Sequence, residues 1–222
     1  MFALLLVMFA ATSATLTAVA AEKARRDRLA GFASGIGWAY TARDDAIPDR
    51  WPGGLFGQGH GRRATNVMTG TFDGRELVAF DYAFRTTERP QYQGDVRVLR
   101  QVTRRVYVVA VRLDRPYPEI EVLIRTGRPE ARPESDDGPW SDEQDFDRRF
   151  VVQSADATAD AVLVPEFRRA LLRSPALGWR VTAGTLLAAG DGRSSPARIL
   201  AATRAVSDAA ALLSGTSQPA GR

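Results

Sequence analysis

The sequence of 222 residues predicts an α+β protein: one domain with a mainly antiparallel sheet, packed by two helices from the second half of the chain. Three observations indicate this fold class. Apolar strand patterns surround two turn signals, Asp73-Gly74 and Ala183-Gly184, and a helical pattern follows Ser195. Tight two-residue turns can join only antiparallel neighbours. The helical segments are long enough to cover one face of such a sheet.

The N-terminal residues 1–21 carry no charged side chain. As a helix they would measure about 31 Å, close to the thickness of a bilayer's hydrocarbon core. We therefore predict a transmembrane helix that acts as a signal-anchor and holds a single-pass protein in the cell membrane. Basic residues follow at once and favour the cytoplasmic side, which places the domain in the cytoplasm.

A cleaved signal peptide is the alternative interpretation of residues 1–21. Ala18-Val19-Ala20 has the small side chains of a cleavage site, and the protein would then be secreted to the cell envelope. A start codon further upstream is a third alternative. Lys or Arg residues hidden before Met1 would reverse the predicted orientation.

Residues 22–37 are predicted to form a juxtamembrane helix, with Leu29, Phe32 and Ala33 at helical spacing and Gly37 at its end. The α+β domain is assigned to residues 38–214. It begins with a short strand over 38–41, followed by a loop rich in Gly and Pro.

The turn chemistry of Asp73-Gly74 predicts a hairpin in which Phe72 faces Arg75. Counting outward along both strands, Asn66 faces Asp81. Alternation places Val78, Phe80, Tyr82 and Phe84 on one face, the expected core. Asp81 lies on the opposite face, which we expect to be covered by a loop or a helix.

The rest of the domain continues the alternation of strands, loops and helices. We predict strands over 95–113, 119–124 and 147–154, a surface loop over 125–145, a helix over 156–173 that restarts at Pro165, a hairpin around Ala183-Gly184, a closing helix from Ser195, and a disordered tail over 215–222.

The composition excludes several chemistries. There is no cysteine and one histidine, His60, so disulfides, thiolate catalysis, cysteine zinc sites and multi-histidine sites within one chain are ruled out. No cofactor and no metal are predicted. The net charge of +4 comes almost wholly from arginine. Because such a bias is usual in translated GC-rich genomes, no specific nucleic-acid partner is expected.

Two residues are candidates for catalysis, Asp81 and His60. A carboxylate on a half-covered sheet face can act as a general base. No nucleophile or second acid can be placed beside Asp81, so a cross-strand hydrogen bond with Asn66 is the favoured interpretation. His60 lies in a glycine-rich loop, where a histidine is usually solvated.

Candidates for binding are Arg62, Arg63 and Trp140. The segment 53–63 alternates glycine with other residues before Arg62 and Arg63, and exposed amides with arginines can hold phosphate; a flexible surface loop is the alternative. Trp140 lies in an acidic loop and can anchor a partner. That loop is otherwise a candidate calcium site or simply solvated. The arginines between 97 and 105 can face anionic lipid headgroups.

Several segments resemble a family of small membrane-associated proteins from actinobacteria. The resemblance runs from about Arg25 to Val206 and rests on RRDRLAGFASGIGWAYTARDD, WPGGLFGQGHGRRATNVMTGTFDGRELVAFDYAF, VYVVAVRL, FDRRFVV, VLVPEF and GWRV. Because the family is itself uncharacterised, the resemblance implies an anchor and one α+β domain, with no assigned activity and no catalytic residues.

The function predicted at this point is a membrane-anchored, non-catalytic binding or scaffold protein. Its expected partners are the lipid bilayer, through residues 1–21, and either a protein or anionic lipid headgroups. One alternative is a hydrolase-type enzyme that uses Asp81 with loop residues such as His60. The other is a secreted protein of the cell envelope.

Overall fold

A computed structural model describes residues 2–87, 91–93, 96–125, 141–156, 158–159, 162–174 and 178–215, with the side chains of 2–16, 18, 91–93 and 96–98 left out. Its helices are α1 (Phe2–Gly35), α2 (Asp142–Arg149), α3 (Pro165–Arg173) and α4 (Pro196–Gly215). Its strands are β1 (Ala39–Arg43), β2 (His60–Phe72), β3 (Arg75–Thr87), β4 (Gln91–Gln93), β5 (Val96–Val98), β6 (Gln101–Arg112), β7 (Ile120–Ile124), β8 (Phe150–Gln153), β9 (Gly178–Thr182) and β10 (Thr185–Asp191).

Within these residues, eight strands form one sheet in the order β1-β2-β3-β6-β10-β9-β7-β8. Every neighbouring pair in it is antiparallel. The strands β4 and β5 pair separately as a short ribbon. The α+β class and the antiparallel sheet are therefore confirmed, and both predicted hairpins are present as β2-β3 and β9-β10.

The predicted transmembrane helix is wrong. In the part of the chain that the structure describes, no helix is long and apolar enough to cross a membrane. α1 continues without a break past residue 21 into a strongly charged stretch at residues 22–28, and charged side chains are costly in hydrocarbon. The last part of α1 packs instead on the sheet.

The end of α1 is set by a glycine turn. Gly37 adopts a φ of +76°, and the Trp38 N–H donates to the Ala33 carbonyl over 2.8 Å, the bond that closes a Schellman motif. The turn sends the chain back along the sheet as β1. Leu29 and Ala33 are fully buried there, so α1 lies against the same sheet face as α4.

The helices cover one face of the sheet. α4 begins after Ser195, whose Oγ accepts from the Arg198 N–H over 3.3 Å, as an N-cap residue does. Its buried side chains recur at helical spacing and pack in one cluster with those of the central strands. The buried members of α4 are Ile199, Ala202, Thr203, Val206, Ser207, Ala209, Ala210 and Leu213.

The opposite face is covered by the loop between β1 and β2. Ile47, Trp51 and Phe56 of this loop are buried in a second cluster with Phe80 and Tyr82. The Trp51 and Phe80 rings are parallel with centroids 6.1 Å apart. The face of β3 that was expected to form the core is therefore buried beneath this loop. The opposite face, which carries Asp81, lies beneath the helices.

The β2-β3 register agrees with the prediction near the turn and then shifts. Phe72 faces Arg75 and Thr69 faces Val78, but Asp81 faces Thr65. A bulge at Asn66 and Val67 causes the shift, and Asn66 there has a φ of +51°.

Two boundaries in the second half also differ from the prediction. α2 begins within the segment expected to be a loop, because Ser141 and Gln144 form a capping box at its start. Residues 126–140 lie outside the described residues, as does the tail after 215. The helix expected over 156–173 is confined to Pro165–Arg173, since proline is well tolerated at a helix start.

Candidate anion-binding pocket

Asp81 lies at the centre of a hydrogen-bonded cluster beneath α1. Its Oδ2 accepts from Asn66 Nδ2 over 2.7 Å and from Arg25 Nη1 over 2.8 Å. Its Oδ1 accepts from the Ser194 N–H over 2.8 Å. Both carboxylate oxygens therefore have donors, one from α1, one from the bulge in β2 and one from the segment before α4.

The bulge places Asn66 where it can reach Asp81. With a positive φ at Asn66, the buried amide points along the sheet face and its Oδ1 accepts from the Tyr40 hydroxyl over 2.7 Å. Burial raises the pKa of Tyr40, which keeps that hydroxyl protonated as a donor. The contact predicted between Asn66 and Asp81 is thus present, through a bulge instead of a direct pairing.

Glu22 forms a second cluster one helical turn before Arg25. Its carboxylate accepts from Arg25 over 2.9 Å and from Arg193 over 2.9 Å, with Arg26 at 3.4 Å. The hydrogen bond from Arg25 holds the pKa of Glu22 below its ordinary value of 4.5, and the charges of Arg193 and Arg26 act in the same direction. The Glu22 carboxylate is therefore held by three arginines of the same chain.

Beside these clusters lies a pocket of about 310 Å³ between α1, the sheet and the segment at Gly192-Arg193. Ala83 of β3 pairs with Arg63 of β2 on one side and with Arg105 of β6 on the other. Residues paired across strands share a face, so both arginines flank the small Ala83 side chain. Arg85 follows two positions along β3 on the same face.

The pocket is strongly basic. Six of its lining residues are arginines, against two carboxylates, Glu22 and Asp81. The carboxylates are held by Arg25, Arg26 and Arg193. Across the described ranges, no ion pair involves the other three, Arg63, Arg85 and Arg105. A concave site with spare arginine charge is suited to an anion, because a guanidinium offers paired N–H donors.

The structure separates the two arginines predicted to bind together. Arg63 lines the pocket, whereas Arg62 lies on the other face of β2 and donates from Nη1 to the Phe56 carbonyl over 2.6 Å. His60 is exposed at the start of β2 opposite Arg85 and does not line the pocket. Trp140 lies outside the described residues.

The glycine-rich loop is held against the sheet. It forms a short 3-10 helix at Gly54–Gly57 that is held from β9, where Arg180 donates to the Pro52 carbonyl over 2.8 Å. Its Phe56 side chain is buried in the core. Of the described residues, no group of three or more acidic or histidine side chains is placed to hold a metal ion.

Sequence reasoning missed Arg25 and Arg193 as parts of a site, and it treated Arg105 only as one of the arginines between 97 and 105 that can face lipid headgroups. They come from α1, β6 and the segment before α4, and only the tertiary fold brings them together. Arg63 was a candidate, but the hairpin count paired it with Phe84. The bulge at Asn66 changes its partner to Ala83, the residue that leaves room for the pocket.

The fold and the pocket define an antiparallel α+β protein with a basic recess beneath its first helix. The crystal structure of the mycobacterial trehalose monomycolate transport factor A, TtfA, is similar, with a TM-score of 0.59 and 16% sequence identity. The match covers 89% of this chain and 98% of that chain. At this identity the likeness shows the fold alone.

No protein family and no curated protein matches this chain. The mycobacterial source of the structural neighbour is consistent with the actinobacterial resemblance of the sequence. Membrane association, the other part of that resemblance, is not confirmed.

Proposed function

We propose that this protein is a non-catalytic binding protein whose ligand is an anion held in the arginine-lined pocket beneath α1. The observation that carries the proposal is the pairing of Ala83 with Arg63 and Arg105, two arginines that form no salt bridge in the described part of the chain, although the charge of Arg63 also acts on Asp45. Arginines that form no salt bridge around a small recess are suited to an anion from outside the chain.

The three hydrogen bonds that Asp81 accepts within the chain support binding over hydrolysis. A general base needs an oxygen within hydrogen-bond reach of the proton it removes. Both oxygens of Asp81 accept from protein donors at 2.7–2.8 Å. Asn66, which donates one of these hydrogen bonds, is an amide and supplies no nucleophile. His60 does not line the same pocket. We therefore propose that Asp81 holds α1 in place.

The structural neighbour is described as a transport factor, a name compatible with an accessory protein that binds and does not catalyse. For this chain we propose an accessory binding role of that general kind. A protein partner and anionic lipid headgroups remain the proposed classes of partner. The cytoplasmic placement of the domain stays a prediction.

The test is anion titration by isothermal calorimetry at low salt, with phosphate, sulfate, citrate and acetate against the full chain. We expect saturable binding of at least one polyvalent anion. Arg63→Gln and Arg105→Gln should each weaken it roughly tenfold, equivalent to about 1.4 kcal/mol. Absence of saturable binding by every anion would overturn the proposal.

Arg112→Gln is the matched control for the two pocket variants. Arg112 lies on the same strand as Arg105, is 73% exposed, and reaches Glu76 only at 3.6 Å. The substitution Arg112→Gln removes one positive charge from β6, as Arg105→Gln does, but at a residue that does not line the pocket. An equal loss of affinity in this control would mean that the anion responds to net charge and not to the pocket.

A further inference from the structure

We infer that the ligand class of this pocket is the phosphate monoester group, gripped from both sides by Arg63 and Arg105. The inference rests on the proposed function and narrows it, because it selects a doubly charged tetrahedral oxyanion over a carboxylate. The group can belong to a small soluble phosphate or to a lipid headgroup of the phosphatidic acid type, and the experiment below separates these sources.

The spacing of the strands favours a clamp. Arg63 and Arg105 sit on the two neighbours of β3, directly across from Ala83, so their Cα atoms are separated by two strand spacings, about 10 Å. Side chains as long as arginine can converge from that separation on one group above the Ala83 methyl. A larger residue at position 83 would occupy the space between them.

The number of acceptor oxygens distinguishes phosphate from carboxylate. A carboxylate has two oxygens, which one arginine fork can satisfy, whereas a phosphate monoester has three terminal oxygens and a charge near −2. Two arginine forks, one on either side of Ala83, supply more donors than a carboxylate can use. Arg85 on the same face adds a third positive charge.

Glu22 gives an internal comparison for a carboxylate. It occupies one side of the pocket with Arg25, Arg26 and Arg193, so a single negative charge is already accommodated there. The other side keeps three arginines, Arg63, Arg85 and Arg105, all exposed to solvent. A dianion neutralises this remaining charge better than a monoanion does.

The experiment compares a phosphate monoester with a carboxylate of equal charge on the full chain. Glycerol 3-phosphate and succinate are titrated under identical buffer and salt by calorimetry. We expect glycerol 3-phosphate to bind roughly tenfold more tightly than succinate. Equal affinities for the two ligands would overturn the phosphate inference and leave the anion-binding function standing. If neither ligand binds, and none of phosphate, sulfate, citrate and acetate binds, both the phosphate inference and the anion-binding function are overturned.

Three variants test the clamp. Arg63→Lys keeps the charge but loses the fork, so its affinity for glycerol 3-phosphate should fall below wild type and stay above that of Arg63→Gln. Ala83→Leu fills the recess without changing the charge and should abolish binding. Unchanged affinity in Ala83→Leu would overturn the placement of the site. Circular dichroism and urea unfolding verify that each variant is folded.

Vesicles separate the two sources of phosphate. Phosphatidylcholine vesicles with and without phosphatidic acid are sedimented with the protein, and glycerol 3-phosphate is added as competitor. Retention that needs phosphatidic acid and is lost in Arg105→Gln indicates a lipid headgroup. Binding of glycerol 3-phosphate with no retention on these vesicles indicates a soluble phosphate. Retention that is unchanged in Arg105→Gln would overturn the assignment of the headgroup to this pocket.

Discussion

Arg25 of α1 donates from Nη1 to Oδ2 of Asp81 in the middle of β3 over 2.8 Å, joining residues that are 56 positions apart in the chain. The same Nη1 lies 3.2 Å from the Ser194 carbonyl, in the segment that leads to α4. One guanidinium therefore ties α1, the sheet and the start of α4 together. The hydrogen bonds to Glu22 and Asp81 raise the pKa of Arg25 against the opposing effect of its burial.

Asp81→Asn should lower the free energy of unfolding by roughly 1.5–3 kcal/mol, because Arg25 loses one of its two carboxylate partners and keeps only Glu22. The two side chains are only 15% and 11% exposed, so solvent replaces the lost interaction poorly. Urea unfolding at neutral pH measures the loss. Asp208→Asn, on the exposed side of α4, is the control. A loss in Asp81→Asn no larger than the control's would contradict the structural role.

Glu22 should stabilise the fold at neutral pH and lose that effect in acid. Its pKa in the folded chain is below the ordinary 4.5, so the stabilisation is fully present above that value and disappears as the pH falls through the folded pKa. We expect the difference in melting temperature between wild type and Glu22→Gln to be positive at pH 7 and to shrink below pH 4.5. If the difference in melting temperature between wild type and Glu22→Gln grows as the pH falls, the prediction is contradicted.

Asn66→Ala should destabilise the protein more than Asn66→Gly. Both variants lose the amide bonds to Asp81 and Tyr40, but only alanine must also hold the φ of +51° with a Cβ. That conformation costs a non-glycine residue roughly 1–2 kcal/mol. Chemical denaturation of the two variants side by side isolates the backbone contribution. Equal losses would mean that the bulge relaxes when the amide is removed.

Gly70→Ala should be destabilising because a Cβ at this position would lie 2.2 Å from Cδ1 of the Trp38 indole. Trp38 is buried and its Nε1 donates to the Thr71 carbonyl over 3.1 Å, so the ring is not free to move aside. Overpacking of this kind costs roughly 1–3 kcal/mol. Thermal unfolding measures the effect.

Gly31→Ala is the control for that substitution. Gly31 is exposed in α1, and nothing lies within 4 Å of an added Cβ. Alanine there should raise the stability by about 0.5–1 kcal/mol, because glycine is a poor helix former. The prediction for Gly70 fails if Gly70→Ala leaves the melting temperature unchanged or raises it as Gly31→Ala does.

Local chemistry predicted the elements whose geometry depends on neighbouring residues. The Asp73-Gly74 turn determines the nearest pairs of its hairpin, and Ser195 with Pro196 determines the start of α4, because turn and cap hydrogen bonds are made within a few residues. α2 was missed although Ser141 and Gln144 carry a capping-box signature, since the acidic and proline-rich residues before it favoured a loop.

By itself, the sequence determined the α+β class, both hairpins, the closing helix and the exclusion of thiol chemistry, and it indicated the contact between Asn66 and Asp81. The tertiary structure decided which sheet face the helices cover, where α1 packs, and that Arg63 and Arg105 lie on either side of Ala83. The physical reason is register. One extra residue in the bulge at Asn66 moves every pair beyond it, and no local pattern encodes which strand becomes the next neighbour.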